Sequence, residues 1–346
     1  MNILIDVIHP AHVHFFRNAI GVFRERGHNV AVTAREKDVT IELLENYGIE
    51  FTILSKVGSG LMGLGKELLI RDWRLWRFCR SFRPDVLTGI SGMFCAHIGL
   101  LMGKPSVVWD DTEHQKKAHA ITYPLATEYH SPDCYMKSLG RKQHLYAGCH
   151  ELAYLHPKRF TPDADVVRSL GIDPQSRYCI LRLVSWGAHH DVGQHGLDAG
   201  RRLEFIKAIA EHARPYVSSE GPLPLELEPY RLKMPVHQVH HVMAFASLCV
   251  SEGATMVTES SLLGVPAVYV NTLKAGTINM LQSCGLVDQT TDTDEALNYC
   301  VSRLSDPDAK EKAAGAREKL LAEKIDVTAH IVETVERAAE RKRGNV

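Results

Sequence analysis

The chain has 346 residues, 45% of them hydrophobic and 23% charged, a globular balance with enough sequence for two domains of ordinary size. Its 40 lysines and arginines against 41 aspartates and glutamates leave a net charge of −1, which excludes a bulk nucleic-acid binder. The 8 cysteines are scattered without a Cys-x-x-Cys pair, which excludes a disulfide framework or a structural zinc site and fits buried thiols in a reducing compartment.

Met1 leads straight into Asn2–Val7, a short apolar run of buried-strand type. With no charged leader and no apolar run of bilayer length, the expected location is cytoplasmic, with contact at the membrane's inner face left open. The turn His9-Pro10-Ala11-His12 and a helix to about Arg26 follow. Strand Asn29–Thr33, helix Val39–Asn46 and strand Glu50–Leu54 complete βαβαβ, the opening of a doubly wound parallel sheet. Strand Val86–Gly89, helix Met93–Met102, strand Ser106–Trp109 and a last short strand near Glu128–His130 continue it. Residues 151–177 carry Pro157, Pro162 and the turn Gly171-Ile172-Asp173-Pro174, and read as a linker between a first domain over 1–150 and a second over 178–325.

The second domain is expected to run through strand Tyr178–Leu183, helix Arg201–Ala213 and strands near Tyr216–Ser218 and Leu225–Glu228. Helix Val236–Ala246, strand Leu248–Ser251, helix Thr255–Leu263, strand Ala267–Val270 and helix Thr277–Cys284 come next. Helices Asp292–Leu304 and Asp308–Glu323 close it, and residues 326–346 form a terminal helix charged on one face. The fold class is therefore α/β, with two Rossmann-like doubly wound domains and ligands in a cleft at the carboxyl ends of the strands.

The stretch Val250–Val270 organises the chemistry. A strand, a tight turn of small residues and a helix with free N–H groups suit a phosphate on Gly253, Ala254 and Thr255, with Thr255 as the helix cap. Glu259, one turn on, suits a ribose diol. The plainer alternative is ordinary strand–Gly–helix packing, in which Gly253 only relieves crowding. In the first half, His9, His12 and His14 follow strand one, where a neutral imidazole serves as general base. We expect His12 to line the cleft, with His9 next, and Arg17 to pair with phosphate.

Asp110, Asp111 and Glu113 crowd the end of a strand, where like charges raise one another's pKa and suit acid/base work. Asp-Asp-x-Glu is a weak metal signal, and a loop held by ion pairs to His114, Lys116 and Lys117 is its alternative. Arg182 is expected to clamp a phosphate. His237 and His241 would share a helix face, toward the nucleotide base in preference to a metal. Gly58–Gly65 precedes a helix with Arg71, Arg74, Arg77, Arg80 and Arg83 interleaved with Trp73 and Trp76. Residues 58–83 read either as a solvated helix or as a peripheral contact with anionic lipid.

The segments His9–Arg17, Trp109–Glu113, Gly148–Pro157, Arg182–Asp191 and Gly253–Pro266 together resemble an archaeal and bacterial family, the domain of unknown function numbered 354. The last segment is similar to the donor-sugar segment of GT-B nucleotide-sugar enzymes, among them peptidoglycan-precursor N-acetylglucosaminyltransferases and non-hydrolysing UDP-N-acetylglucosamine 2-epimerases. That resemblance implies a GT-B fold whose terminal helix returns to the first domain, and a UDP-sugar or other nucleotide-sugar as substrate. It also implies an unidentified acceptor, lipid-linked in some relatives, and surface-polysaccharide or glycoconjugate synthesis as the setting. No cofactor is implied; Mg2+ through the diphosphate is compatible but not required. It places Asp110 and Glu113 near an epimerase's catalytic carboxylate, His189 near a His-Arg pair on the sugar diphosphate, and Asn279 where transferases touch the donor sugar. The epimerases' Thr-Glu-Arg-Pro-Glu signature is missing, so transfer ranks above epimerisation, with a non-catalytic sugar-nucleotide binder as the third reading.

Overall fold

The computed structural model describes residues 1–58, 60–184, 196–219 and 221–343. It divides into two units, Met1–Arg159 with Ile325–Val346, and Phe160–Lys324.

Unit 1 opens with β1 (Asn2–Val7), α1 (Pro10–Glu25), β2 (Asn29–Glu36), α2 (Thr40–Asn46), β3 (Thr52–Lys56) and α3 (Gly60–Phe82). It continues with β4 (Val86–Ile90), α4 (Met93–Met102), β5 (Ser106–Trp109), α5 (Lys116–Thr122), β6 (Glu128–Pro132), β7 (Gln143–Tyr146) and α6 (Leu152–Leu155). The seven strands run parallel in the order β3-β2-β1-β4-β5-β6-β7. Helices cover both faces, so β1 buries Ile3, Leu4, Ile5 and Val7 without alternation. The sheet extends one strand past the expected end: β7 has only four residues, and His144 and Leu145 are exposed, so it lacks the apolar run that marks a buried strand.

Two more expectations change in unit 1. Helix α3 begins at Gly60, inside the glycine run expected to be a loop. Its Arg71 is fully buried, with the guanidinium on Asp6 at 2.6 Å, on Ser55 Oγ at 2.9 Å and on the Ala34 carbonyl at 3.2 Å. Spacing of three carries the arginines around the helix, and Arg71 falls on its inner side.

Unit 2 comprises α7 (Ala164–Ser169), β8 (Tyr178–Leu183), α8 (Arg202–Ala210), β9 (Arg214–Ser219), α9 (Val239–Phe245), β10 (Leu248–Ser251) and α10 (Ala254–Leu262). Then come β11 (Ala267–Val270), α11 (Gly276–Ser283), β12 (Val287–Thr290), α12 (Thr293–Ser305) and α13 (Ala309–Ala322). Its strands are also parallel, in the order β12-β11-β10-β8-β9. The expected strand at Leu225–Glu228 is a 3-10 turn over Leu225–Tyr230, with Pro229 inside it, which lacks the N–H a ladder needs. The expected helix Val236–Ala246 begins as a 3-10 turn, Val236–Gln238, before α9.

The chain leaves unit 1 after Arg159, so the expected linker 151–177 is divided: α6 belongs to unit 1 and α7 to unit 2. The last helix, α14 (Val327–Arg343), lies in unit 1 against α1 and α6. Val327, Ile331, Val332, Val335, Ala338 and Ala339 form its buried stripe at helical spacing. Asp326 pairs with Arg159 at 2.7 Å, and Thr328 Oγ donates to the Ala153 carbonyl at 2.5 Å. In each sheet the strand order reverses beside the first strand of the unit, between β1 and β4 and between β8 and β10. Open α/β sheets bind ligands at the carboxyl ends flanking such a reversal.

Candidate functional site

In unit 1 the β1–α1 turn sits at this reversal. Pro10, with φ pre-set for a helix and no N–H to lose, starts α1, and His9 caps it by accepting from Ala11 N at 3.3 Å. His12 is 6% exposed and receives a long contact from Ile8 N at 3.4 Å on Nδ1. Burial first, then the positive charge His9 and His150 would add, hold its pKa well below the ordinary histidine value. His12 is therefore a neutral imidazole at neutral pH.

Beside it, the end of β5 splits the roles of its acids. Asp110 is wholly buried, hydrogen-bonded to His119 Nε2 at 2.7 Å and accepting from Tyr135 OH at 3.0 Å. Glu113 is 2% exposed and accepts from Met136 N at 3.4 Å. It lines a cavity of about 510 Å3 together with Lys116, His119, Tyr123, Lys137 and Leu139. The partly exposed carboxylate is Asp111, which takes His150 Nδ1 at 3.1 Å and Thr112 Oγ at 3.0 Å. Burial opposes charge on both partners of the Asp111–His150 pair and loses to their attraction, so Asp111 falls to about 2 and His150 is raised. The ring of Phe15, three residues along α1 from His12, rests on His150 at 4.6 Å. The acid whose charge acts on His12 is Asp111.

His150 escaped the sequence reading because its partner is 39 residues away and no spacing rule joins them. The signal was Gly148, where a side chain would meet Val327 of α14 at 2.8 Å: the 148–150 turn needs a glycine to let the terminal helix in. Arg17 is placed differently from expectation. Its guanidinium bonds to Tyr47 OH and lies 4.7 Å from the Tyr47 ring and 5.7 Å from the Tyr154 ring, about 140° around α1 from His12. It braces α1 and is committed to that stack. His14 joins the same group through Tyr47 OH at 3.3 Å and the Tyr154 ring at 5.2 Å.

In unit 2, β10 and α10 make the expected turn with different fittings. Gly253 is the N-cap of α10, with φ −106° and ψ 135° and no side-chain cap, while Thr255 lies inside the first turn. Among the described residues neither backbone nor space demands a glycine here: φ is negative, and an added Cβ would meet Val184 Cγ2 only at an ordinary 3.5 Å. Crowding therefore does not explain Gly253. Ser251 Oγ accepts from Gly253 N at 2.9 Å and sets the turn.

Glu252, which the sequence reading passed over, is 1% exposed and accepts from Val184 N at 2.8 Å, Leu197 N at 3.0 Å and Arg202 at 3.0 Å. It clamps both ends of the segment 185–195; His189, with Ser185, Trp186, His190 and Asp191, lies outside the described residues. Arg182 pairs in register with Ser251, is partly exposed, and donates to Ser218 Oγ at 2.9 Å. Glu259 is 4% exposed and bonded to His240 Nε2 at 2.9 Å, which ties α10 to α9. His241 Nδ1 accepts from Asp163 N at 3.0 Å, and His237 lies in the 3-10 turn before α9, so the expected helical pair is not formed. Among the described residues no group of three or more His, Cys, Asp or Glu is arranged to hold a metal ion. Asn279 is exposed on α11.

Two parallel sheets of this doubly wound kind, one of seven strands and one of five, define a GT-B fold, and the solved structures similar to this chain carry it. The chain belongs to the family described as "Protein of unknown function (DUF354)", whose profile matches residues 1–194. It is 23% identical over 340 residues to the uncharacterized protein MJ0665 of Methanocaldococcus jannaschii, covering 88% of this chain and 92% of that one. It is similar to the glycosyltransferase SsfS6 of Streptomyces sp. SF2575 in complex with thymidine diphosphate, with a TM-score of 0.63, 14% identity, and 97% and 99% of the two chains covered. The UDP-GlcNAc 2-epimerase of M. jannaschii gives a TM-score of 0.64 at 13% identity over 92% and 99%. That of Neisseria meningitidis bound to UDP-GlcNAc gives 0.66 at 11% over 97% and 100%. At such identities the likeness establishes the fold.

Proposed function

We propose that this chain is a glycosyltransferase that uses a nucleoside-diphosphate sugar, UDP-linked in the first instance, in the synthesis of a surface polysaccharide or glycoconjugate. The observation that carries this reading is the start of α10. Gly253 needs no glycine for its own fold, the helix has no side-chain cap, and its first-turn amides suit the oxygens of a diphosphate. The amides of Ala254 and Thr255 hold that diphosphate, Gly253 lets it come close, Arg182 on the neighbouring strand adds a positive charge, and Asn279 reaches the sugar. Similar solved structures are complexes with thymidine diphosphate and UDP-GlcNAc, which supports a nucleotide as ligand.

In the reaction an acceptor hydroxyl oxygen bonds to the anomeric carbon as the bond from that carbon to the phosphate oxygen breaks. The electron pair leaves with the nucleoside diphosphate, whose charge the helix amides stabilise. His12 takes the hydroxyl proton, for which a neutral imidazole is required. Its 3.4 Å contact from Ile8 N is at the far edge of hydrogen bonding and leaves the tautomer to the substrate. Asp111, paired with His150, supplies the negative charge that favours the protonated form once it is made.

Epimerisation is the second reading, favoured by three acids at the end of β5. It ranks lower because Asp110 and Glu113 are both buried and bonded within the protein. The test is incubation with UDP-sugars, reading nucleotide release and the sugar's NMR spectrum. Transfer gives UDP release that an acceptor accelerates, and a new sugar-nucleotide isomer without acceptor would replace it with epimerisation. Melting-temperature screening chooses the nucleotide, since a ligand at 100 times its Kd stabilises by about 2.7 kcal/mol. Stabilisation without turnover would leave only a binder.

A further inference from the structure

Helix α3 turns a basic and apolar stripe outward that nothing in the proposed reaction uses. Its inner face carries Glu67, Arg71, Leu75 and Cys79, all buried, and the outer face carries Lys66, Leu69, Trp73, Arg77 and Arg80, all exposed. The spacing of three to four residues keeps the five on one side. Leu69 is 71% exposed and Trp73 53% exposed, so neither is held by packing. The Arg77 guanidinium sits 5.7 Å from the Trp73 ring and that of Arg80 5.1 Å from the Trp76 ring.

The neighbours of α3 extend this surface. Strand β3 and helix α4 both pack against α3, and they leave Ile53, Leu100 and Leu101 exposed. Five of the eleven large hydrophobics exposed among the described residues therefore lie on three adjoining elements, and Val57 follows directly after β3. Scattered surface leucines are ordinary; a cluster beside cations is not. The carboxylates within residues 60–102 are committed: Glu67 is buried on Arg35 and Ser55, Asp72 is bonded to His97 at 2.8 Å, and Asp85 accepts from Asn2 N at 2.8 Å. In a chain of net charge −1, this face is locally cationic.

We propose that the α3–α4 face of unit 1 docks on an anionic lipid bilayer, with Leu69, Trp73, Leu100 and Leu101 entering the headgroup boundary and Lys66, Arg77 and Arg80 meeting lipid phosphates. Exposed leucines and a tryptophan flanked by arginines match an interface whose outer layer is anionic and whose inner layer is apolar. A protein partner would not require cations and large apolar groups to share one helix stripe. No helix among the described residues is long and apolar enough to cross a membrane, so the contact is peripheral.

The experiment is flotation of the full chain with vesicles of phosphatidylcholine plus phosphatidylglycerol, and with phosphatidylcholine alone. Binding is expected to the first and not the second, and to weaken as salt rises. Arg77→Ala with Arg80→Ala should weaken it about 30-fold. Leu69→Ser with Trp73→Ser should abolish what remains, while the melting temperature stays put because all four side chains are exposed. Failure of the wild-type chain to float with anionic vesicles at low salt overturns the proposal. So does binding indifferent to these substitutions, or a concentration-dependent dimer in sedimentation that the same substitutions dissolve. None of these readouts depends on sugar transfer.

Discussion

Gly253 separates two demands that usually coincide, because among the described residues its fold would accept a side chain, while the proposed diphosphate would not. Gly253→Ala should therefore leave stability unchanged or raise it by up to about 1 kcal/mol, since alanine narrows the unfolded ensemble. The same change should weaken UDP binding roughly tenfold, about 1.4 kcal/mol, by calorimetry. Equal affinity in both proteins would remove the phosphate from this turn. Arg71 and Asp6 make the opposite case. The pair is buried at 2.6 Å, and Thr33 Oγ also donates to Asp6 at 2.6 Å. Asp6→Asn strands a guanidinium inside the protein and should cost about 3–5 kcal/mol in urea denaturation. A loss below about 1 kcal/mol would mean that water reaches Arg71.

At the scale of elements, the terminal helix closes over a group of imidazoles. His330 on α14 lies 5.6 Å from His130 on β6, 5.3 Å from Tyr146 on β7 and 5.7 Å from Trp109 on β5, and His130 stacks on His144 at 5.1 Å. Glu128 receives His130 at 3.1 Å and Arg337 and Arg341 of α14 at 3.3 Å each. Burial, then the neighbouring His130, Arg337 and His144, push His330 down from 6.5 to about 4. The unfolded chain therefore binds that proton first, so the contribution is complete above about pH 6.5 and drains away as pH falls toward 4. His330→Asn should flatten the fall of melting temperature across that window, by an amount on the order of 1–2 kcal/mol after allowing for partial solvent access. Parallel curves for the two proteins would place the acid sensitivity elsewhere.

Elements of this kind also show what the sequence could tell. Strands β1, β5, β8, β10 and β11 were legible because central parallel strands are continuous apolar runs. The edge strand β7 and the 3-10 turn at 225–230 were not, since pairing and a proline decide them. The histidine turn after β1 was legible as a candidate. The pairing of His150 with Asp111, and the burial of Asp110 and Glu259, follow from contacts across the fold that no local spacing encodes.

For the whole molecule, unit 1 is built from both ends of the chain, with residues 160–324 forming unit 2 in between. A chain ending at Lys324 would lack α14 and leave its apolar seat on α1 and α6 open. Hydrogen exchange on that shortened chain should show β1, β4 and β5 losing protection while β8, β10 and β11 keep theirs. Uniform loss in both units would show instead that they fold as one. The same arrangement governs how the protein is made. The first 159 residues leave the ribosome without their closing helix, and the next 165 must be translated before it emerges. At roughly 5–20 residues per second that interval is on the order of ten seconds or more. Throughout it the nascent half displays greasy surface, so the newborn chain is a natural client for a chaperone waiting at the exit tunnel.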